Sequence, residues 1–188
     1  MTDHEFCPLT PERWTDFERL FGPRGACAGC WCMYWKLPRK EFNAGQGEGN
    51  RLAQKDILAS GRTPGLLAYV DGAPAGWCAV EPRQAYSSLA RSRILAPVDE
   101  TPVWSVTCFF VDRRYRRQGL TIALLRAALE YVKTQGGKVV EGYPTEPKQV
   151  KAPPVFIYTG TASAFRQAGF VEVARRSETR PIMRYYIH

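Results

Sequence analysis

The segment from Val103 to Val132 restricts what this chain can fold into more than any other stretch. Its apolar part, Val103–Val111, predicts a long strand, and the basic turn Arg113–Gly119 follows it. An amphipathic helix comes next, indicated by residues that recur at helical spacing: Thr121, Leu124, Leu125, Ala128, Leu129 and Val132. Gly136 and Gly137 end this helix. A strand that leads through a tight turn into a helix predicts a sheet with helices packed on it.

The turn before the predicted helix is suited to bind an anion. The first turn of a helix presents unpaired N–H groups and the positive end of the helix dipole. Gly119 lets a ligand approach the backbone closely, so a pyrophosphate group fits here, although a plain surface turn is the alternative. Two common nucleotide motifs, Gly-x4-Gly-Lys-Ser/Thr and a Gly-x-Gly-x-x-Gly that follows a strand, are absent from the sequence.

The whole chain, residues 1–188, is predicted to form one domain of alternating helices and strands. Apolar residues make up 45% and charged residues 23%, the balance of an ordinary globular protein. Early helices are predicted at Pro11–Phe21 and around Leu52–Leu58, where Leu52, Ile57 and Leu58 lie near one face. Later elements are Gly65–Val70, Ala75–Val80, Lys138–Tyr143, Ala162–Ala168, Phe170–Ala174 and Met183–Ile187. This alternation predicts a mixed α/β or α+β sheet protein.

The net charge of +8 favours an anionic partner: a nucleic acid, a phosphorylated metabolite or a polyphosphate cofactor. A nucleic-acid-binding module is indicated only by this charge and by the Arg113–Arg117 cluster, which cofactor phosphates explain equally well. No apolar run approaches the roughly 20 residues of a membrane span, and the N-terminus shows no export-signal pattern. We therefore expect a cytoplasmic protein whose six cysteines are reduced.

The strand, turn and helix resemble the signature of the GNAT superfamily of N-acetyltransferases. In that signature Arg/Gln-x-x-Gly-x-Gly/Ala opens a long helix. Here Arg116 and Gly119 fill the first and fourth positions, and Thr121 stands where a smaller residue is usual. The stretch Phe165–Phe170 is similar to the family's late helix, and the looser likeness begins near Gly65. The resemblance implies a mostly antiparallel mixed sheet with a splayed strand pair, flanked by helices, and acetyl-CoA as cosubstrate.

The resemblance also implies where acetyl-CoA binds. The pantetheine arm is expected between the two splayed strands, where backbone groups of Phe109 and Val111 would bond its amides. Ser163 is a further candidate, although it fits an ordinary helix-start residue equally well. The residues assigned to the cosubstrate are Phe109, Phe110, Val111, Arg116, Arg117, Gln118, Gly119, Leu120, Thr121 and Ser163.

Acetyl transfer to an amine needs a base that takes the amine's proton. Glu141 lies at a place that resembles the base of ribosomal-protein alanine acetyltransferases, although a solvent-facing strand residue fits equally well. The family's usual acid is a late-helix tyrosine, and this chain has Phe165 there. Tyr158 is therefore the predicted acid, and the alternatives are Tyr143, a water molecule or a thiolate that leaves unprotonated. Cys108 is either an acetyl acceptor in a ping-pong route or, as the sequence favours, an inert core thiol.

A dense cluster of thiols and aromatic rings precedes these elements. Cys27, Cys30 and Cys32 contain one Cys-x-x-Cys step, and zinc prefers a second pair, so no metal site is expected. In the family, the connection between the first two helices borders the acceptor site. Candidate substrate-binding residues are therefore Trp31, Met33, Tyr34 and Trp35. A small satellite core beneath this connection is the alternative, and the composition favours it slightly.

The function predicted from these features is transfer of an acetyl group from acetyl-CoA to a primary amine, by direct attack in a ternary complex. The amine belongs to a small molecule, a peptide or a protein, and the sequence does not choose among them. A non-catalytic acyl-CoA-binding regulatory domain is the alternative, because the usual tyrosine is replaced by Phe165. The sequence also leaves a homodimer open.

Overall fold

Seven strands form one sheet in the computed structural model, which describes residues 4–146 and 157–188 of the chain. They are β1 (His4–Pro8), β2 (Gly65–Val70), β3 (Ala73–Pro82), β4 (Trp104–Val111), β5 (Val139–Gly142), β6 (Val171–Arg175) and β7 (Pro181–Tyr186). Their order across the sheet is β1-β2-β3-β4-β5-β7-β6. Neighbours are antiparallel except for β4 and β5, which run parallel. The predicted mixed, mostly antiparallel sheet is confirmed.

The parallel strands β4 and β5 pair over only part of their length. Trp104–Val106 of β4 lies beside Val140–Gly142 of β5, and the remainder of β4, Thr107–Val111, extends past the end of β5. On its other side this remainder still pairs with β3. One edge of β4 therefore has no partner from β5 at the place where the resemblance implied a splayed strand pair.

The α-helices of the described residues are α1 (Trp14–Phe21), α2 (Arg39–Ala44), α3 (Glu48–Ala59), α4 (Ser87–Ala90), α5 (Leu120–Thr134) and α6 (Ala162–Gln167). Short 3₁₀ turns occur at Pro11–Arg13, Arg83–Ala85 and Arg113–Tyr115, and a π-helical turn occurs at Gly25–Gly29. Across the two described ranges, we find no helix with the length and apolar character that a membrane crossing requires.

Helix α5 buries the face that its sequence periodicity predicted. Leu124, Leu125 and Ala128 have no exposed surface, and the helix packs on β2, β3 and β4. At Gly76 the helix and the sheet come so close that a Cβ would lie 3.1 Å from methyl groups of Leu120 and Leu124. This tight packing fixes the start of α5 relative to the end of β4, and so fixes the turn between them.

The opposite face of the sheet carries an aromatic core beneath α1. Trp77 of β3 is fully buried there, with its ring centroid 4.8 Å from that of Phe17 and 6.2 Å from that of Phe21. Trp31 stacks on Phe21 with 5.7 Å between the centroids. Cys78, the next residue on β3, points to the α5 side because side chains alternate along a strand.

Helix α3 buries only part of the apolar face expected of it. Leu58 is buried and Ile57 packs against the same core, as predicted. Leu52 is 46% exposed, whereas Asn50 and Gln54 are fully buried, so the prediction for Leu52 is wrong. The reason is a polar anchor: Nδ2 of Asn50 donates to the carbonyl oxygens of Gly29 at 3.1 Å and Phe42 at 3.2 Å. These bonds hold α3 against the segment that follows α1.

Candidate active site

The turn that leads into α5 has an open backbone. Arg117 and Gly119 adopt left-handed conformations, with φ of 62° and 80°. A Cβ at Gly119 would meet no atom within 4 Å, so space is available beside this residue. Gly119 is also the N-cap of α5, and a glycine has no side chain with which to cap the first N–H groups. An anion can therefore reach the helix start, as the sequence predicted.

Three arginines of this turn surround the helix start. Arg113, Arg116 and Arg117 are exposed and line the cavity described below. Arg114 differs, because its Nε donates to Oδ1 of Asp112 at 3.0 Å. The bond from Arg114 lowers the pKa of the Asp112 carboxyl. Nε of Arg116 donates to the carbonyl oxygen of Val111, whereas its two terminal nitrogens and the guanidinium groups of Arg113 and Arg117 are available to the phosphates of a ligand.

The unpaired edge of β4 is occupied by the protein's own chain. The amide of Phe109 donates to the carbonyl oxygen of Tyr158 at 2.6 Å. The carbonyl oxygen of Val111 accepts from Nε of Arg116 at 2.9 Å. Both residues were expected to offer their backbone groups to the pantetheine arm. That expectation is not met at the Phe109 amide, because the backbone at Tyr158 lies beside β4.

A cavity of about 1270 Å³ runs from the basic turn along β4 to the thiol- and ring-rich segment after α1. The predicted cosubstrate residues that line it are Phe109, Phe110, Val111, Arg116, Arg117, Gly119, Leu120 and Thr121. The cavity joins a basic end, suited to phosphates, to an end lined by aromatic rings and cysteines. A long ligand with a phosphate group at one end and a reactive group at the other fits this shape.

Gln118 and Ser163 do not line this cavity within the described part of the chain. Nε2 of Gln118 donates to the carbonyl oxygen of Arg114 at 3.0 Å, which turns the side chain back on its own loop. Ser163 is exposed, and its hydroxyl lies 3.1 Å from that of Thr161, the residue that caps α6. The structure therefore gives Ser163 its alternative role, at the start of a helix.

Two of the predicted acceptor residues face the cavity, and the other two are buried in the core behind it. Tyr34 and Trp35 line the cavity, together with Arg39, whose guanidinium carbon lies 5.0 Å from the Tyr34 ring centroid. Trp31 and Met33 are buried in the aromatic core instead. The prediction that Trp31 contacts substrate is therefore not supported, since its ring is taken up by stacking on Phe21.

Glu141 lies outside the cavity lining, in a buried ion-pair network. Its carboxylate accepts from Nη1 of Arg83 at 3.2 Å, from Nε of Arg184 at 2.7 Å and from the Tyr143 hydroxyl at 2.8 Å. Arg184 is the cross-strand partner of Glu141 in the pairing of β5 with β7. A carboxylate held by two guanidinium groups is not placed to take a proton from a substrate in the cavity. The base role predicted for Glu141 is not supported by this geometry, and we assign it a structural role.

Tyr158 lines the cavity, and Phe165 does not. Burial raises the pKa of the Tyr158 phenol, so the hydroxyl keeps its proton over the physiological range. Phe165 is fully buried in the core below α5, at the position where the family's tyrosine was expected. Tyr143, the alternative acid, is buried within the Glu141 network.

Four thiols that sequence spacing left unexplained lie in the cavity wall. Cys27, Cys30 and Cys32 follow α1, Cys108 lies on β4, and all four line the cavity. All six cysteines of the chain are free thiols. Over residues 4–146 and 157–188, no group of three or more His, Cys, Asp or Glu side chains is placed to hold a metal ion. The Cys-x-x-Cys spacing was the only sequence signal for this cluster. It is typical of a metal site and does not indicate that Cys108 lines the same cavity.

Comparisons with known proteins agree with this geometry. The sequence profile of the Acetyltransferase (GNAT) family matches residues 31–155. A search of curated proteins found no match to this sequence. An acetyltransferase of the GNAT family from Streptococcus agalactiae is similar in structure, with 13% identity, a TM-score of 0.58 and coverage of 98% of this chain and 96% of the other.

Two further solved structures share the fold. PaiA N-acetyltransferase from Thermoplasma acidophilum, solved in complex with coenzyme A, has 13% identity and a TM-score of 0.55, and covers 98% of this chain and 99% of its own. The ribosomal-protein-S18-alanine N-acetyltransferase from Escherichia coli has 16% identity and a TM-score of 0.51, and covers 98% of this chain and 94% of its own. At these identities the likeness establishes the fold.

The splayed sheet and the basic turn at the start of α5 define an acyltransferase architecture that binds a CoA thioester. The matched profile covers more than half of the chain, and the protein belongs to the GNAT acetyltransferase family. Acetyl-CoA is the cosubstrate of this family.

Proposed function

We propose that the protein transfers the acetyl group of acetyl-CoA to a primary amine that enters the aromatic end of the cavity. The observation that carries the proposal is the continuity of the cavity from the basic turn at Gly119 to Tyr34 and Trp35. A donor bound with its pyrophosphate at the helix start and its arm along β4 brings its thioester towards the aromatic end. There the amine attacks the acetyl carbon directly while both substrates are bound, as the resemblance implies.

The proposed contacts follow from the charge and shape of the cavity. Arg113, Arg116 and Arg117 supply positive charge for the phosphates, and the N–H groups at the start of α5 supply hydrogen bonds. The Phe109 amide becomes available to the arm when the Tyr158 backbone gives it up. The acceptor amine belongs to a small molecule, a peptide or a protein, and aromatic walls favour one with an apolar body beside the amine.

Tyr158 is proposed to act on the departing sulfur or on the oxyanion. Its raised pKa makes the phenol a poor proton donor to a CoA thiolate, because the thiolate is the weaker base of the two. The hydroxyl therefore stabilises the developing charge by a hydrogen bond, and the proton stays on Tyr158. This refines the acid role predicted from the sequence.

A non-catalytic acyl-CoA-binding domain is the second candidate. It is favoured by one observation: the family's tyrosine position holds the fully buried Phe165, whose ring has no proton to give. Such a domain would bind the thioester and leave it intact. Ligand binding would then change the conformation of the domain or its binding partner, and no reaction product would form.

One experiment separates the two candidates. Purified protein is incubated with acetyl-CoA and a panel of primary amines, including arylalkylamines, polyamines and peptides with free N-termini, and the release of CoA thiol is followed. Amine-dependent release, with acetylated product identified by mass spectrometry, is expected. A rise in melting temperature with acetyl-CoA but no release with any amine would favour the regulatory domain. No rise in melting temperature would contradict both.

A further inference from the structure

The charged side chains that line the cavity all carry the same sign. They are Arg39, Arg113, Arg116 and Arg117, and no Asp, Glu or His within residues 4–146 and 157–188 joins them in the lining. Three of these arginines belong to the basic turn, where we place the phosphates of the cosubstrate. Arg39 stands on another element, at the start of α2, and contacts the aromatic end of the cavity. The phosphates therefore leave Arg39 without a role.

The Arg39 guanidinium is held by an aromatic ring rather than by a carboxylate. Its central carbon lies 5.0 Å from the ring centroid of Tyr34. That ring meets Trp35 and Phe42 edge to face, at centroid distances of 5.1 and 5.4 Å, and lies 6.2 Å from the ring of Tyr158. In the described part of the chain, Arg39 forms no ion pair and no hydrogen bond. A guanidinium stacked in this way keeps its in-plane N–H donors available to a planar anion.

Buried carboxylates on the neighbouring strands are neutralised outside the cavity. Glu81 of β3 forms ion pairs with Lys36 and Arg62. Glu141 of β5 is held by two arginines, as described above. Neither carboxylate lines the cavity. An ammonium group on a ligand therefore meets no carboxylate among the described residues of the wall.

A further arginine adds positive charge behind the aromatic end. Nη1 of the half-buried Arg180 donates to Oγ1 of Thr145 at 3.0 Å and to Oγ1 of Thr159 at 3.3 Å. Burial lowers the pKa of Arg180, and the guanidinium still keeps its charge near neutral pH. This charge interacts with Tyr34 and Tyr158 across the end of the cavity. The hydroxyl groups that bind Arg180 carry no charge to offset it.

This distribution of charge selects among amines. Positive charge nearby disfavours an ammonium ion and favours the neutral amine, which is the form that attacks a thioester. A polyamine brings several positive charges and is repelled. A carboxylate on the same molecule is attracted, because a guanidinium binds it through two parallel hydrogen bonds. One guanidinium balances the single charge of a carboxylate, whereas a phosphate monoester carries nearly two.

We propose that the acceptor is a primary amine with a carboxylate on an apolar body, the chemistry of an α-amino acid with an apolar side chain, and that Arg39 binds the carboxylate. The inference rests on the proposed function and deepens it by naming the class of acceptor. Tyr34, Trp35 and Phe42 line the cavity beside Arg39 and supply the contact surface for the apolar body.

The first test uses pairs of acceptors that differ only by the carboxylate. They are phenylalanine and phenethylamine, tryptophan and tryptamine, and leucine and isoamylamine, and kcat/KM is measured for each by the release of CoA thiol. We expect at least one amino acid to exceed its partner by roughly 10- to 100-fold, the effect of hydrogen bonds to a charged group. Spermidine, which has no carboxylate, should be the poorest acceptor.

Substitution of Arg39 shows whether this preference comes from its charge. Arg39→Gln should lower the ratio of kcat/KM within the preferred pair by roughly 10- to 100-fold. The amine's own pKa cancels, because the same two acceptors are compared in each variant. Arg39→Lys keeps the charge and loses the planar fork, so its ratio should be intermediate. Lys40→Gln, at the next and exposed position of α2 outside the cavity lining, is the matched control and should keep the wild-type ratio.

A binding measurement separates the Arg39 site from the cosubstrate site without turnover. The rise in melting temperature with CoA should be largely kept in Arg39→Gln and reduced in Arg117→Gln, which removes a charge from the basic turn. The preferred amino acid, added to the complex with CoA, should raise the melting temperature further in the wild type and not in Arg39→Gln. Loss of the CoA shift in Arg39→Gln would mean that Arg39 binds the cosubstrate, and the acceptor class would be wrong.

The outcomes distinguish this inference from the proposed function. If the wild type acetylates amines but prefers spermidine or the decarboxylated partners, or if Arg39→Gln keeps the wild-type ratio, the acceptor class is wrong and the transfer stands. If no amine is acetylated, the proposed transfer fails, and the melting temperature of the CoA complex decides the rest. A further rise with an amino acid that depends on Arg39 then supports the anion site. The absence of such a rise overturns it.

Discussion

The ring of Phe165 lies directly against the backbone of Gly142, on β5 beside the parting of the two parallel strands. A Cβ at Gly142 would overlap the ring, with Cζ of Phe165 only 2.6 Å away. The side chain that replaces the family's tyrosine is thus packed against bare backbone. Core packing and the absence of a β-carbon at Gly142 hold this ring in place.

Gly142→Ala is expected to lower the free energy of unfolding by roughly 1–3 kcal/mol, because overpacking forces the ring or the strand to move. Chemical denaturation measures the change. Gly49→Ala is the matched control, since a Cβ at this exposed position of α3 meets nothing within 4 Å. The control should leave the protein as stable as the wild type or slightly more so. Equal stability of all three proteins would mean that the contact is not tightly packed.

Gly119→Glu is expected to abolish the rise in melting temperature that acetyl-CoA produces, because it places a carboxylate where the pyrophosphate binds. Gly136→Glu is the control. Gly136 lies beyond the other end of α5, also has positive φ and also has open space beside it. Both substitutions therefore strain the backbone alike, and only the first reaches the basic turn. Retention of the shift in Gly119→Glu would show that the phosphates bind elsewhere.

Glu141→Gln is expected to lower the free energy of unfolding by roughly 3–5 kcal/mol, since it leaves the charges of Arg83 and Arg184 without their buried partner. Glu146→Gln, which breaks pairs of a half-exposed carboxylate, should cost less than about 1 kcal/mol. Denaturant titration compares the two. A Glu141→Gln protein that is fully stable but inactive would restore the base role predicted from its place in the sequence.

The fold was predictable where the signal is local. The periodicity of α5, the glycine at its N-cap and the hairpin of β2 and β3 all depend on neighbouring residues. The role of Glu141 was not predictable, because Arg184 reaches it only through the register of β5 with β7. For the same reason the sequence does not indicate that Cys108 lines the same cavity as Cys30 and Cys32. Strand β1 was missed because it is a short edge strand with one buried residue, Cys7, and little apolar pattern.

The pair of Asp99 with Arg184 predicts how stability depends on acid. The hydrogen bonds from Arg184, at 2.7 and 3.0 Å, hold the pKa of Asp99 well below its ordinary value. A carboxyl with a depressed folded pKa contributes stability above its unfolded pKa of about 3.9 and loses the contribution as pH falls further. The difference in melting temperature between wild type and Asp99→Asn should therefore be constant near neutral pH and shrink below about pH 4.

If the difference in melting temperature between wild type and Asp99→Asn does not shrink in acid, Asp99 and Arg184 interact through packing rather than through charge. Asp56→Asn, which removes an exposed carboxylate of α3 that forms no ion pair in the described part of the chain, is a suitable reference for the general effect of removing one negative charge.

Tyr158→Phe is expected to slow acetyl transfer while leaving the acetyl-CoA shift in melting temperature unchanged. Loss of one hydrogen bond to a developing negative charge costs roughly 10²- to 10³-fold in the turnover number. The phenol is not the base on this view, so the ascending limb of the pH–rate profile should stay in place. Displacement of that limb in Tyr158→Phe, measured by steady-state kinetics, would instead give the phenol a share in proton transfer.

The hydrogen bond from Phe109 to Tyr158 makes ligand entry an exchange rather than a simple addition. The amide of Phe109 is already bonded to the backbone at Tyr158, so an arm that binds along β4 as proposed has to displace one carbonyl to gain that amide. A protein whose open form is only a fraction of the population binds with an apparent Kd raised by the inverse of that fraction. On the proposed binding mode, the affinity for CoA and its esters depends partly on the hydrogen bond between Phe109 and Tyr158, which the ligand itself does not make. Substitutions that weaken this bond are then expected to tighten binding, even far from the phosphates.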